Sequence, residues 1–331
     1  MVLNRVYTVN GLYIENGPLL DDDSDFAIQE LICSDGNSKY FYPKDEMYFY
    51  LIWHKMEDLR YKVIEHFYND LNEYYNIKKG ICILSATGGY DTECSLSKYE
   101  FANIVNSIKD DEKEMIYKNL FYNDVVSIVD SICNNTWYLN DVFISVYKKL
   151  ALIECPNIAN KDGFFIIHDN ESLEISFLIE NYFIKAYSLF DLFTKLSIEL
   201  LNENYDYQKY KKLKSKEILY GDKKKLPFDK AEGTLFERCE LTSKIESIRH
   251  EVVHSGSLQF NPNIYYKIEN NKLVEKFIMF PDMDEDGHFE IFNNRKRFYS
   301  CENKFNLFFP ELHCELLKKI SNTVELLVTK T

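Results

Sequence analysis

The chain has 331 residues, of which 46% are hydrophobic and 28% are charged, a composition typical of folded globular proteins. This composition excludes a wholly disordered or low-complexity chain, and the length predicts about two domains. The formal net charge of −14 excludes a protein that coats nucleic acid by broad electrostatic attraction, because such proteins are basic. Residues 1–160 carry 14 basic and 25 acidic side chains, and residues 161–331 carry 25 and 28. An anionic partner is therefore expected to bind the second half.

The start of the chain, MVLNRVYTVNG, has neither the charged nor the apolar region of a signal peptide. No run approaches the roughly 18 uncharged apolar residues of a membrane span. We therefore expect a cytoplasmic protein that does not enter a membrane. The eight cysteines are scattered without a Cys-x-x-Cys pair, which predicts reduced thiols rather than a zinc ribbon or a redox centre.

The first half of the chain predicts a β-rich start followed by helices. Residues 1–44 alternate between apolar and polar residues, and Asn10-Gly11 is typical of a hairpin turn. Residues 45–77 have apolar residues at helical spacing and contain neither Gly nor Pro. The run ICILSA at 81–86 predicts a strand, and residues 98–154 predict two or three further helices. We expect this half to be a mixed α/β region.

The second half predicts a mainly α-helical domain with a β-hairpin insertion. The predicted elements are a strand at 163–168, a helix at 171–203 with Asp169 as its N-cap, a helix past Gly233 within 229–254, hairpins within 260–306 and a helix at 309–328. Pro, Asn and Asp cluster at 156–162. We therefore divide the chain into residues 1–160 and 161–331.

The most informative stretch is IRHEVVHSG at 248–256, which has three interpretations. The first pairs Arg249 with His254 as Arg-x4-His at a helix end. This pattern resembles the HEPN superfamily, especially its Apea-like members, in which an Arg and a polar residue precede a His, often followed by a small residue and Gly. His250 stands where the family more commonly has Asn. The resemblance covers about residues 163–330.

The resemblance implies a HEPN-like helical bundle and RNA cleavage without metal or other cofactor, in which the 2′-OH attacks the adjacent phosphorus. Histidine suits proton transfer near neutral pH, and arginine suits phosphate binding because it stays charged. We assign His254 as general acid/base and Arg249 as phosphate clamp, with His250 as a third candidate catalytic residue. The family is common among antiviral defence and toxin effectors. By analogy, residues 1–160 are expected to sense or restrain through a regulatory partner.

The spacing of the motif also bears on assembly. Five helical steps of about 100° place Arg249 and His254 about 140° apart, so the two do not share a helix face. Family members usually solve this with a dimer that brings two motifs into one cleft. We therefore expect a homodimer formed through the C-terminal half.

The second interpretation is His-Glu-x-x-His, with His250 and His254 on one helix face as zinc ligands and Glu251 as general base. It predicts a zinc-dependent hydrolase. The motif needs a third ligand, and the candidates Glu269, Glu275 and Glu285 lie on strand-like or turn segments. The third interpretation is a non-catalytic interaction module, in which the motif is a polar helix edge with Val252 and Val253 in the core.

A lysine-rich block supplies eight lysines between residues 209 and 225. One interpretation is a track for the RNA backbone, with Tyr207, Tyr210 and Tyr220 available for stacking. The predicted RNA-binding residues are Lys211, Lys212, Lys214, Lys223, Lys224 and Lys225. The alternative is a solvated linker.

The segment PDMDEDGHFE at 281–290 is similar to a calcium-binding loop, with Asp282, Asp284 and Asp286 at the first three ligand positions. The twelfth position should be Glu and is Asn293. We therefore predict a hairpin turn there rather than a calcium site.

Overall fold

The computed structural model of the protein describes residues 3–17, 25–42, 44, 48–80, 97–156 and 161–331. The predicted fold class is confirmed at the coarse level, because the chain is mainly helical with two small antiparallel sheets. The helices are α1 (Tyr48–Phe67), α2 (Leu71–Gly80), α3 (Lys98–Ser107), α4 (Asp110–Leu152), α5 (Asn170–Leu200), α6 (Glu240–His254) and α7 (Phe305–Lys330). The strands are β1 (Leu3–Thr8), β2 (Tyr13–Glu15), β3 (Phe26–Ile32), β4 (Ser38–Phe41), β5 (Gly163–Ile167), β6 (Ile264–Glu269) and β7 (Lys272–Phe277).

The N-terminal sheet has the strand order β2-β1-β3-β4. Strands β1 and β2 pair antiparallel across the predicted Asn10-Gly11 turn, with Val6 opposite Ile14. Gly11 has φ +67°, and a Cβ there would lie 2.6 Å from the carbonyl oxygen of Lys276. Glycine is required because this backbone is both left-handed and closely covered.

The helices of the first half differ from the prediction in where they break. The helix predicted over 45–77 ends at Phe67, and a second begins at Leu71. Asp70 caps the second helix: its carboxylate accepts the backbone N–H of Glu73 at 2.7 Å, and the carboxylate of Glu73 accepts the N–H of Asn69, the residue before the cap, at 2.8 Å. Such side-chain contacts to backbone N–H groups favour the start of a new helix. The strand predicted at 81–86 lies outside the described residues.

The second half follows the predicted order of elements. Asp169 caps α5 as expected, because its carboxylate accepts the N–H of Ser172 at 2.8 Å. The sheet β5-β6-β7 is antiparallel, and β6 and β7 form the predicted hairpin. Helix α6, however, begins only at Glu240. Cys239, the residue before it, is extended with φ −143° and ψ 173°, so residues 234–239 are not part of the helix predicted to begin past Gly233.

By contacts the chain divides into two compact units. The first comprises Met1–Tyr50, Asn135–Ser188 and Lys230–Ile320, and the second comprises Leu51–Asn134, Leu189–Asp229 and Ser321–Thr331. Each unit draws on both sides of residue 160, so this division does not coincide with the predicted boundary. The first unit contains α6 and its histidines, and the second contains the lysine-rich block.

The core of the first unit is built from aromatic side chains of α4, α5 and α7. The ring of His313 stacks on Phe143 with centroids 4.2 Å apart, and its Nδ1 lies 2.9 Å from the hydroxyl of Tyr182. Burial lowers the pKa of His313 to about 3, so this histidine is a neutral core residue. Within the described ranges, no helix has the length and apolar character needed to cross a bilayer.

Candidate active site

Helix α6 presents two different faces. Leu241, Ile245 and Ile248 are buried at helical spacing, which holds the helix against the core of the first unit. Nζ of Lys244 on this helix lies 5.2 Å from the centre of the Phe308 ring on α7. The helix ends at His254, and Gly256 follows with φ +104°, as expected for a C-terminal stop.

His250 and His254 lie on the exposed face of α6, one turn apart. Their ring centroids are 4.7 Å apart with an interplanar angle of 50°, and both side chains are exposed. The structure therefore brings together two of the three predicted catalytic residues. Two imidazoles at this spacing can engage the same bound group, one as proton acceptor and the other as proton donor.

Arg249 points to a different neighbour. It is half-buried, and its guanidinium carbon lies 4.9 Å from the ring centroid of Tyr187 on α5, a cation–π contact that fixes the side chain. Within residues 161–331, all of which are described, no hydrogen bond joins Arg249 to His254. Within one chain, the side chains of the histidine pair and of Arg249 therefore point in different directions, as the helical spacing predicts.

Glu251 lies between the two histidines in the sequence. Its side chain, however, is buried and faces away from them. Its Oε1 lies 3.0 Å from a guanidinium nitrogen of Arg297, and its Oε2 lies 3.5 Å from Nζ of Lys296. The carboxylate is therefore committed to two cations. This arrangement does not provide the free general base that a zinc hydrolase needs.

The structure also fails to assemble a third zinc ligand. Two of the predicted candidates are held in ion pairs, Glu269 with Lys267 at 2.6 Å and Glu275 with Lys304 at 2.6 Å. Among the described residues, no group of three or more His, Cys, Asp or Glu side chains is close enough to hold a metal ion.

The valine pair corrects one feature of the non-catalytic interpretation. Val252 is half-buried, whereas Val253 is 47% exposed. The prediction that both valines lie in the core is wrong because the buried stripe continues from Ile248 to Glu251 and Val252, and Val253 lies about 100° further round the helix.

A basic loop that sequence inspection missed lies against the end of α6. It contains Arg295, Lys296 and Arg297, and the last two form the ion pairs with Glu251. Arg297 also donates a hydrogen bond to the carbonyl of Ser257. The sequence signal was present as FNNRKRFY at 292–299, in which basic and aromatic residues adjoin, but it follows directly after the acidic run at 282–290.

The segment that leaves α6 is fixed from beneath by α5. The carboxylate of Glu180, which is buried, accepts the N–H of Leu258 at 2.8 Å. Burial raises the pKa of Glu180. The end of the motif helix is therefore held on one side by α5 and on the other by the basic loop.

The predicted RNA-binding lysines belong to the second unit and differ in their surroundings. Four have polar partners: Lys211 pairs with Asp206 at 3.4 Å, Lys214 donates to Asn202, Lys223 donates to the hydroxyl of Tyr220 at 2.6 Å, and Lys225 pairs with Asp222 at 2.7 Å. All six except Lys223 are exposed.

Part of the lysine-rich block lines a groove of about 670 Å³. Lys211 and Lys212 line it together with Lys195 and Lys216, which the sequence prediction did not include. Tyr210 lines the same groove and is exposed, as a stacking residue must be. Tyr220 is buried against Phe190, with ring centroids 4.9 Å apart, so its predicted stacking role is wrong.

The segment at 281–290 is a turn, as predicted. Met283 and Phe289 form an isolated antiparallel β-bridge across it, and the carboxylate of Asp284 accepts the N–H of His288 at 2.8 Å. Gly287 has φ +81°, and a Cβ there would lie 2.5 Å from the carbonyl oxygen of Glu240. The carboxylate of Asp284 therefore stabilises the turn, and that of Asp282 accepts the N–H of Ser300 at 3.1 Å.

Comparisons of the chain with protein-family models, curated proteins and solved structures find no match. The resemblance to HEPN proteins accordingly stays a prediction, and the functional argument depends on the geometry of α6 and its surroundings.

Proposed function

We propose that the protein is an endoribonuclease of the HEPN type, which cleaves RNA without a metal ion through His254, His250 and Arg249. The observation that carries the proposal is the pair of exposed imidazoles at the end of α6, 4.7 Å apart. Histidine is the side chain suited to both accepting and donating a proton near neutral pH.

The pair supplies the two proton transfers of RNA cleavage. A neutral imidazole takes the proton of the 2′-OH as its oxygen forms a bond to the adjacent phosphorus. The bond between phosphorus and the 5′ oxygen breaks, and an imidazolium gives that oxygen its proton. The products are a 2′,3′-cyclic phosphate and a 5′-OH. Negative charge that develops on the phosphate oxygens is stabilised by a guanidinium.

The direction of Arg249 supports a site shared between two copies of the chain. Its guanidinium lies over Tyr187 rather than beside the histidines, so a second copy would bring its arginine to the first copy's histidine pair. A two-fold axis makes such an exchange reciprocal. We accordingly propose a homodimer, and a role in defence or toxicity follows from the resemblance alone.

The proposal also includes binding of the RNA backbone by the groove that contains Lys195, Lys211, Lys212 and Lys216. The structure describes no carboxylate within ion-pair distance of Lys195, Lys212 or Lys216 among the residues it covers. One carboxylate, Asp124, also lines the groove and accepts the hydroxyl of Tyr210 at 2.6 Å. The lysines outnumber it, and phosphates would pair with their ammonium groups.

The test is cleavage of single-stranded RNA by the purified protein in the presence of EDTA. We expect His254→Ala and Arg249→Ala each to lower the rate by about 10²-fold or more, since loss of a proton-transfer or charge-stabilising group has effects of that order. The matched control is His54→Ala, which removes an exposed histidine from α1. Activity that EDTA abolishes, or that His254→Ala retains, would contradict the proposal.

A further inference from the structure

We propose that residues 292–299, named here the basic–aromatic loop, bind single-stranded RNA beside the His250 and His254 pair. These residues lie outside the motif at 248–256. The inference relies on the proposed function for the identity of the nucleic acid, and the experiment below separates the two.

The exposed side chains of the loop have the chemistry of a single-strand binding surface. Phe292 is 69% exposed and Phe298 is 39% exposed, although aromatic rings are usually placed in the core. Arg295 and Lys296, also exposed, lie between them in sequence. Proteins that bind single strands combine cations for the backbone with aromatic rings on which bases stack.

Hydrogen bonds hold the backbone of the loop in one conformation before any ligand binds. Phe292 and Arg295 exchange two backbone hydrogen bonds, of 3.0 Å and 2.9 Å, across a two-residue turn. Asn293 takes the positive φ of 53° that this tight turn requires. One exposed ring and one cation are thereby held as neighbours, which lowers the entropic cost of binding.

The loop is joined directly to the motif helix. Glu251 holds Lys296 and Arg297, Arg297 donates to the carbonyl of Ser257, and the hydroxyl of Tyr299 donates to the carbonyl of Leu258. Glu251 lies within one helical turn of both histidines. The loop is therefore anchored within about 5 Å, measured along the helix axis, of the turn that bears the imidazoles.

An acidic groove adjoins the loop. It is lined by Glu240, Lys244, Asp282, Asp284, Glu290 and Glu302. Asp282 lies next to the loop, because its backbone N–H donates to the carbonyl of Phe298 at 2.7 Å and its carboxylate accepts the N–H of Ser300 at 3.1 Å. These carboxylates weaken the attraction of the loop for phosphate, so base stacking on the rings supplies more of the proposed affinity.

The ligand is a single strand because stacking on the loop needs exposed base faces. In an A-form duplex the bases are stacked on one another, and recognition uses the backbone and the minor groove instead. Bases held on Phe292 and Phe298 would also keep the strand unpaired where the 2′-OH must reach its own phosphorus. We therefore expect the loop to discriminate between single strands and duplexes.

The experiment measures the affinity of a fluorescein-labelled single-stranded oligouridine by anisotropy. The full chain carries His254→Ala, so that the probe survives. Phe292→Ala/Phe298→Ala removes the rings, and Arg295→Gln/Lys296→Gln removes two charges. The matched control is Lys272→Gln/Lys318→Gln, an equal charge loss at exposed positions outside the loop.

We expect the ring variant to raise Kd by about 5-fold or more for each base that loses its stacking partner. The charge variant should also flatten the slope of log K against log salt, by about 0.7 for each lost phosphate contact. The control should leave that slope unchanged. A duplex of the same length should bind more weakly than the single strand.

Three outcomes would overturn the inference: no binding by the His254→Ala chain, loop variants that bind like the control, or equal affinity for single strand and duplex. The proposed activity can fail independently. If the wild-type chain does not cleave RNA while the loop variants bind more weakly than the control, the loop stands as a binding site and the nuclease proposal falls. If cleavage is found, and the loop changes leave Kd unchanged in the His254→Ala chain and KM unchanged when they are made in the wild-type chain, the loop proposal falls alone.

Discussion

Replacing Glu251 with Gln tests the role of the buried carboxylate in the motif helix. The change keeps the shape of the side chain and removes the negative charge that holds Arg297 at 3.0 Å and Lys296 at 3.5 Å. Loss of one partner from a fully buried ion pair costs about 3–5 kcal/mol. Here the side chains of Arg297 and Lys296 are 27% and 44% exposed, so water can partly solvate them.

We therefore expect Glu251→Gln to lower the free energy of unfolding of the first unit by about 1–2 kcal/mol. The assay is urea denaturation followed by tryptophan fluorescence. The chain has two tryptophans, Trp53 in the second unit and Trp137 in the first. Trp53→Phe in every variant leaves Trp137 as the reporter of the first unit.

A double-mutant cycle with Arg297→Gln gives the control. The two changes should be non-additive by about 1 kcal/mol, because they remove the same interaction. Glu251→Gln should also retain chelator-resistant RNA cleavage, because the carboxylate takes no part in proton transfer. An unchanged urea midpoint, or additive effects in the cycle, would refute the assigned ion pair.

Two further predictions concern pH and salt. Because the folded pKa of His313 is about 3 and an unfolded histidine titrates near about 6.5, the unfolded chain binds more protons below that value. The stabilisation is complete above about pH 6.5 and falls as pH is lowered, by about 1.4 kcal/mol at pH 5.5. His313→Gln should flatten this part of the curve in urea denaturation at pH 7.5 and 5.5, and an unchanged slope would contradict it. For the groove, Lys212→Gln/Lys216→Gln should reduce the salt dependence of RNA binding by up to about 1.4 units. Lys224→Gln/Lys225→Gln should leave it closer to wild type, and equal effects would remove the groove from the proposal.

Much of the second half of the fold could be predicted from periodicity. The helix predicted at 171–203 is α5, and the helix predicted at 309–328 lies within α7. Their apolar spacing reflects the same burial that forms them. The late start of α6 could not be predicted, because the segment before it is held by a tertiary contact, the ion pair of Glu237 with Lys319 on α7 at 2.6 Å.

The histidine pair of the candidate site could be predicted, because four-residue spacing on a helix places His250 and His254 together whatever lies around them. The partners of Glu251 could not. Lys296 and Arg297 are more than 40 positions away along the chain, and only the tertiary fold brings them to the helix. The burial of Tyr220 could not be predicted for the same reason. Nothing in the surrounding lysine-rich sequence indicates that its ring packs against another part of the chain.

The letters His-Glu-x-x-His fit two chemistries, and the direction of the glutamate distinguishes them. A zinc hydrolase needs the carboxylate beside the metal-bound water on the face of the two histidines. In this chain Glu251 is buried and bonded to Lys296 and Arg297, while the imidazoles are exposed. The same helix turn thus displays two imidazoles to solvent and holds Lys296 and Arg297 through a carboxylate that faces away from them. This arrangement would suit the phosphodiester substrate that we propose, whose cleavage needs proton transfer at two oxygens and positive charge near the phosphate. It would also explain why a glutamate lies between the two histidines.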